Sequence, residues 1–203
     1  KQKLDIAVQP GKSIEGIVLF PDGRPAPETM VYLATPGENM IIGPGPRVGY
    51  TKADSTRTDA AGQFRFPATQ GQWCLAAFRT EGYAETDNQS FTAPAKLVLH
   101  PWAKVAGIYL QDGKPLAECP IGVQPYPPHY DQDPSRAQIG YMLSTTTDER
   151  GAFSVSGVPP GLAAVHSAPA GSRSAFGAPS RWDVVSLASG QTARLAIGTA
   201  SRH

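Results

Sequence analysis

One nine-residue pattern occurs twice in this chain, and its repetition limits the possible folds more than any other feature does. The two copies read TRTDAAGQF at 56–64 and TTTDERGAF at 145–153, so Thr, Asp, Gly and Phe recur in one order at an offset of 89 residues. Self-similarity at a fixed long period is typical of chains built from repeated structural units.

Other landmarks keep nearly the same offset. DGRP at 22–25 corresponds to DGKP at 112–115, and Gly71 corresponds to Gly161. The 203 residues therefore divide into two copies of one domain, each long enough for its own core. We place the first domain at 1–99 and the second at 100–203, while residues 1–10 have the shape of the end of a preceding repeat.

Composition and patterning predict strands joined by many turns. The chain contains 21 Gly and 20 Pro residues, spread between short apolar runs, and no segment shows a helical period over ten or more residues. Ile14 to Phe20 and TMVYLAT at 29–35 alternate as half-buried strands do. Each copy is expected to be all-β.

The repeated pattern itself predicts a hairpin. The Thr residues are β-formers that lead up to the turn, the Asp side chain can accept backbone N–H groups, and the Gly can take the left-handed conformation. The chain then reverses into QFRF or AFSV, which directs Phe64 and Phe153 into a core.

The junction and the cysteines give two further expectations. We expect Trp102, beside Pro101, to pack at the domain boundary, with an ordinary core position in the second domain as the alternative. Cys74 and Cys119 lie one in each copy, so no disulfide can form within a domain, and free, partly buried thiols are predicted.

Charge and hydropathy exclude some partners. Eighteen basic and 17 acidic residues give a net charge of +1 without a basic stripe, which argues against nucleic acid. No apolar run approaches the roughly 18 residues that a membrane-spanning helix requires. The opening KQKLDIAVQPG is interpreted as the start of a trimmed fragment, so the lack of a leader says little about export.

The order of these motifs resembles a known family. A strand, Asp-Gly-basic-Pro, a second strand, a loop, Thr-Asp-x-x-Gly-x-Phe and then VPPG at 158–161 are similar to the carboxypeptidase regulatory-like domain, a prealbumin-type, Cna-B-like β-sandwich. The segments at 94–117 and 186–198 resemble the repeat ends of tandem arrays in bacterial envelope proteins. The first copy departs from the pattern at PATQGQW, 67–73.

The resemblance implies two consecutive Greek-key β-sandwich domains of prealbumin-like type. It also implies a periplasmic or extracellular location in a larger envelope protein, and a non-catalytic role as a spacer or protein-interaction module. It is specific for the fold and weak for function, because such sandwiches serve many unrelated proteins.

The sequence lacks the motifs that would indicate a catalytic function. Gly-x-Ser-x-Gly, His-Glu-x-x-His and Cys-x-x-Cys are absent from the sequence, and neither GKS at 11–13 nor GPGPRVG at 43–49 has the context of a phosphate-binding loop. The intradiol ring-cleaving dioxygenases share a similar sandwich and bind iron through two Tyr and two closely spaced His. YPPHY at 126–130 offers no such His pair, so this enzyme is a remote alternative. We expect no enzyme activity, no cofactor and no metal.

Two long connections remain as candidate contact regions, at 36–55 and 125–143, both without clear secondary structure and both containing Gly-Tyr near their ends. Clustered Tyr and Arg side chains suit a protein or carbohydrate partner, and the second domain has the richer set. The alternative is that both segments are ordered covers over the sandwich edges. The oligomeric state is left open. The candidate contact residues are Tyr126, His129, Tyr130, Arg136 and Tyr141 in the second connection, and Arg47 and Tyr50 in the first.

Overall fold

The computed structural model describes residues 13–45, 47–92, 94–127, 133, 135–168, 172, 174–176 and 181–199. Within these ranges every regular element is a β-strand, so the chain is all-β, as the sequence predicts. The same ranges contain no helix with the length and apolar character needed to cross a membrane.

The strands fall into two series along the chain. The first half contains β1 (Ile14–Leu19), β2 (Met30–Ala34), β3 (Met40–Gly43), β4 (Arg47–Thr51), β5 (Asp54–Arg57), β6 (Gln63–Phe66), β7 (Cys74–Arg79), β8 (Gly82–Asp87) and β9 (Ala95–Val98). The second half contains β10 (Ala103–Gln111), β11 (Lys114–Pro115), β12 (Pro120–Pro125), β13 (Ile139–Tyr141), β14 (Leu143–Thr146), β15 (Ala152–Val158), β16 (Gly161–Ser167), β17 (Arg181–Leu187) and β18 (Thr192–Thr199).

Strand order is the same in the two halves. The first half has sheets β6-β1-β9 and β5-β2-β7-β8, and the second has β15-β10-β18, with β11 at the end of β10, and β14-β12-β16-β17. In each half the first strand pairs in parallel with the last, β1 with β9 and β10 with β18, and the other pairs within these four sheets are antiparallel.

The two central strands of sheet β5-β2-β7-β8, β2 and β7, are covered on both faces. Val31 and Leu33 of β2 lie in the apolar core of the first half. Ala34 of β2, with Ala76 and Phe78 of β7, belongs instead to the core of the second half. Because successive side chains of a strand point to opposite faces, this one sheet serves two cores and joins the halves.

The repeated pattern forms the predicted turn in both halves. Oδ1 of Asp59 accepts hydrogen bonds from the N–H groups of Ala61 and Gln63, at 2.9 and 2.8 Å. Asp148 accepts the corresponding two bonds at 2.9 and 2.8 Å. Gly62 has a φ of 75°, and a Cβ there would lie 2.6 Å from the carbonyl oxygen of Val18, so both conformation and space require glycine.

The two aromatic residues that follow the turns reach the cores, as predicted. Phe64 and Phe153 are each 5% exposed. Their rings lie against Gly16 and Gly107 on the neighbouring strands, where a Cβ would come within 2.7 and 2.9 Å of a ring carbon. The Gly and Phe positions of the repeat are therefore a matched pair across two strands.

The threonine before each Asp has a role beyond strand propensity. Thr58 is 1% exposed; its hydroxyl donates to the carbonyl of Ala26 at 2.7 Å and accepts from the N–H of Thr29 at 2.9 Å. Thr147 makes the equivalent bonds to Leu116 and Cys119 at 2.7 and 2.9 Å. The hydroxyl thus holds the connection before β2 or β12 to the hairpin.

Replacing this hydroxyl should destabilise the fold. Thr58→Val keeps the side-chain volume but leaves the buried N–H of Thr29 without its acceptor, so we expect the free energy of unfolding to fall by about 1–3 kcal/mol. Urea unfolding measures the change. Thr58→Ser keeps the hydroxyl, and Thr146→Val changes an exposed threonine; both should be close to wild type. Equal stability of Thr58→Val and Thr58→Ser would contradict the assigned role.

Candidate functional site

The two long connections meet each other in one three-stranded sheet, of order β13-β3-β4. Strand β3 pairs in parallel with β13, with Met40 opposite Ile139 and Ile42 opposite Tyr141. Strand β4 pairs with β3 on its other edge. The expectation that both connections lack regular structure is therefore wrong at 40–43, 47–51, 54–55 and 139–141, and at the end residues 125 and 143. Strands this short become recognisable only when they are paired.

Hydrogen bonds close this pairing at both ends. The N–H of Met40 donates to the carbonyl of Gln138 at 3.4 Å, and the N–H of Met142 donates to the carbonyl of Ile42 at 2.9 Å. Beside the first bond, the N–H of Gln138 donates to Oδ1 of Asn39 at 3.1 Å. Backbone groups from the two halves thus satisfy each other directly.

Apolar burial accompanies the pairing. Met40 and Ile42 are fully buried, and Ile139 and Tyr141 are nearly so. All four belong to the core cluster of the second half. Burying a side chain of this size contributes about 1.5–3 kcal/mol, so the sheet is held by its core side as well as by its hydrogen bonds.

Tyr141 does not match its predicted role as a contact residue. It is 4% exposed, and its hydroxyl has no hydrogen-bond partner among the described residues. A side chain in this position packs between the halves and is not available to an external partner. Period-two alternation within β13 could have signalled this, but three residues are too few for a pattern.

The buried hydroxyl gives a direct test of this placement. Tyr141→Phe removes a polar group that has no partner, so stability should be unchanged or should rise by up to about 1–3 kcal/mol. Tyr141→Ala leaves a cavity and should cost about 3–5 kcal/mol. Thermal unfolding followed by circular dichroism measures both variants. A solvent-exposed Tyr141 would make the Ala variant as stable as wild type.

The first connection places its two candidates on the edge strand β4. Arg47 is exposed and lies opposite Gly43. Tyr50 lies opposite Ile41, and its side chain is outside the described part of the structure. The sheet therefore brings the backbones of Arg47, Tyr50 and Tyr141 together.

The remaining candidates of the second connection lie apart from that sheet. Tyr126 follows β12, is 44% exposed, and donates its N–H to the carbonyl of Leu162 at 2.9 Å. Arg136 is exposed, and its N–H donates to the carbonyl of Asp133 at 3.2 Å. His129 and Tyr130 are outside the described residues.

The junction between the halves is a second contact between them. Tyr83 and His100 exchange two backbone hydrogen bonds, at 3.0 and 2.7 Å. The ring of Trp102 stacks on Tyr83 with centroids 4.7 Å apart, and its Nε1 donates to the carbonyl of Arg79 at 2.8 Å. Trp102 therefore packs at the boundary, as the sequence predicts.

A cleft of about 330 Å³ lies beside the start of β13, and the thiol of Cys74 in its lining is not reactive. Burial, with the nearby carboxylates of Glu85 and Asp87, raises the pKa of Cys74 to about 12, so its thiol stays protonated at neutral pH. Cys119 is buried, and both cysteines are free, as predicted. Among the described residues, no group of three or more His, Cys, Asp or Glu could hold a metal ion. The cleft is lined by Cys74, Glu85, Thr86, Asp87, Ser90, Ala137, Gln138 and Ile139.

One surface that the sequence did not single out is the outer face of sheet β14-β12-β16-β17. Leu162, Val184 and Trp182 on this face are 51%, 50% and 42% exposed. None of its residues carries a formal charge at neutral pH. We define this outer face by the residues that point away from the second core: Pro120, Gly122, Gln124, Ser144, Thr146, Leu162, Ala164, His166, Trp182, Val184 and Ser186.

His166 is buried within this outer face. Its imidazole is 2% exposed and meets the rings of Phe176 and Trp182 edge-on, with centroids 5.0 Å apart in each case. Gly122 makes room for it, since a Cβ there would overlap with Nε2 of the ring. Neither ring nitrogen has a hydrogen-bond partner among the described residues. Burial lowers the pKa of His166 below its ordinary value of 6.5.

This lowered pKa predicts a loss of stability in acid. Below about pH 6.5 the unfolded chain binds a proton at His166 that the folded chain does not. The free energy of unfolding should therefore fall by up to about 1.4 kcal/mol per pH unit until the folded pKa is reached. Above pH 6.5 the residue contributes no slope.

Urea unfolding of wild type and variants between pH 4 and 8, roughly the range in which histidines titrate, isolates this effect. The other titratable groups are the same in each protein, so a difference in slope is due to His166. His166→Phe should remove part of the slope below pH 6.5, whereas Thr146→Val, a change at an exposed residue without a titratable group, should keep it. Identical slopes in wild type and His166→Phe would show that folding does not lower the pKa of His166, which would contradict its burial.

Comparison with protein-family models and with curated proteins gives no match. Among solved structures, the chain is similar to a streptococcal ancillary pilin, with 16% identity, a TM-score of 0.42, and coverage of 94% of this chain and 62% of that chain. The chain thus spans less than two thirds of that pilin. The minor pilin GBS52 of Streptococcus agalactiae shows 13% identity, a TM-score of 0.42 and coverage of 91% and 94%. The major pilin BcpA of Bacillus cereus shows 10% identity, a TM-score of 0.35 and coverage of 93% and 70%.

Proposed function

We propose that this chain is a non-catalytic, extracytoplasmic module of a larger envelope protein, in which two β-sandwich domains, 1–99 and 100–203, act as one stiff spacer that presents surfaces to protein partners. The single observation that carries the proposal is the parallel pairing of β3 with β13, which joins strands from the two halves.

The proposal requires that the two halves of the chain do not bend relative to each other. Domains in one chain move relative to each other by default unless their interface is large and apolar. Here the halves share the two-faced sheet β5-β2-β7-β8, the sheet β13-β3-β4 and the stacked pair of Tyr83 and Trp102. A bend between the halves would break backbone hydrogen bonds and expose Met40 and Ile42 at the same time.

The candidate contact residues support a spacer over the alternative of a carbohydrate- or small-ligand-binding loop at 125–143. Tyr141 is committed to the core. Tyr126 lies against β16, and Arg136 follows Asp133 in a separate turn. Among the described members of the predicted set in this connection, the exposed residues Tyr126 and Arg136 thus lie on different segments.

The spacer role depends on the backbone pairing, which one substitution can interrupt. Met142→Pro removes the N–H that donates to the carbonyl of Ile42, while the side chain of Met142 is 41% exposed and carries little packing. We expect the free energy of unfolding to fall by about 1–3 kcal/mol. Small-angle X-ray scattering should show a larger and more variable separation of the halves.

Met142→Ala is the matched control, because it keeps the N–H and should preserve both the wild-type scattering curve and a single unfolding transition. If Met142→Pro scatters as wild type does, the pairing is not what holds the halves, and the stiff spacer is contradicted. Location is tested separately: recovery of the full-length gene product from the cytoplasmic fraction would contradict an envelope role.

A further inference from the structure

A groove of about 500 Å³ lies between β8 and β9, the last two strands of the first half, and we call it the edge groove. The two strands belong to different sheets, in which β8 pairs with β7 and β9 pairs with β1. Tyr83 and His100 close one end of the groove with their two backbone hydrogen bonds. Beyond this bridge the described residues of β8 and β9 form no further pair, so the groove separates the two strand edges.

The edge of β9 that borders the groove presents backbone groups to it. The N–H of Leu99 donates to the carbonyl of Leu19 in β1 at 2.8 Å, whereas the N–H of His100 points the other way and donates to β8 at 2.7 Å. Alternate residues of a strand direct their N–H and C=O groups to the same edge, so Lys96 and Val98 direct theirs into the groove, as His100 does. Within the described ranges no strand pairs with this edge at Lys96 and Val98. An unpaired edge of this kind is a template for a further strand.

The floor of the edge groove is apolar, and the β9 rim is exposed. Ala84, Ala95 and Leu97 line the groove, belong to the core of the first half and are 4 or 5% exposed. Lys96 and Val98 lie on the other face of β9 and are exposed. An extended segment with apolar side chains at every second position fits this arrangement, because it would set one face on the floor and turn the other to water.

We propose that the edge groove binds the segment LDIAV at 4–8 of this same chain as an added strand, antiparallel to β9. Residues 1–12 precede the described part of the chain, and this segment alternates as a half-buried strand does. Leu4, Ile6 and Val8 would lie on the apolar floor, and the residues between them would face water. The added strand would extend sheet β6-β1-β9 to four strands and cover its open edge.

The course of the chain brings this segment within reach of the groove. The register of β1 with β9 places Ile14, where β1 begins, beyond Ala95 and therefore at the open end of the groove. Reaching the far edge of β9 from β1 takes two strand spacings, about 10 Å. The connecting residues 9–13, QPGKS, can span up to about 17 Å and contain Pro-Gly, a strong turn signal. Asp5 would then stand on the rim that carries Lys96, which has the opposite charge.

Amide hydrogen exchange of the full chain, followed residue by residue with NMR, tests the proposal. The N–H of Val98 should exchange at least about tenfold more slowly than an unpaired amide, because it would donate to the added strand. Ile6→Asn places a polar side chain on the apolar floor and should speed the exchange at Val98 at least about tenfold. Ala7→Asn is the matched control: it makes the same change at the neighbouring position, which faces water, and should leave the exchange at Val98 as in wild type.

Three results would overturn the proposal. Fast exchange at Val98 in wild type would show an open groove, as expected if residues 1–10 pair only with a preceding repeat. Slow exchange that Ile6→Asn leaves unchanged would assign the groove to a different occupant. Slow exchange that is lost on dilution would show that the strand comes from a second copy of the chain. The wild-type measurement decides between an open and an occupied groove even if a variant fails to fold, which thermal unfolding would reveal.

Discussion

The burial of strands β2 and β7 on both of their faces is the constraint on which the rest of the structure depends. A strand in a two-layer sandwich normally turns one set of side chains to the core and the other to water. Here Leu33 and Ala34, neighbours in β2, lie in two different cores. Apolar residues at successive positions are therefore required, and the position of the second half follows from the need to cover the second set.

The contact between the two halves also includes backbone pairing. The connections after β2 and β12 contribute β3, β4 and β13, and the resulting sheet satisfies N–H and carbonyl groups that would otherwise need water. Trp102 fills the space beside Tyr83 at the point where the chain crosses from one half to the other. Strands that lie outside the four larger sheets thus hold one half of the chain against the other.

The corresponding sheet of the second half, β14-β12-β16-β17, is filled by different side chains. His166, in the place of Ala76, fills space over Gly122, and Phe176 and Trp182 cover its ring. Leu162 and Val184 stay half exposed.

The sequence by itself determined the all-β class, the repeated turn and the aromatic positions Phe64 and Phe153, because these depend on neighbours within a few residues: an Asp side chain bonding its own turn, a left-handed Gly and period-two alternation. It could not show that Thr58 bonds Ala26 and Thr29, that Tyr141 is buried, or that His166 lies under Trp182. Only the tertiary structure decided the pairing of β3 with β13, whose partners are 99 residues apart, as between Met40 and Ile139. A short apolar run can form a buried strand, a loop or an exposed segment. Which of these it forms depends on the segment that packs against it.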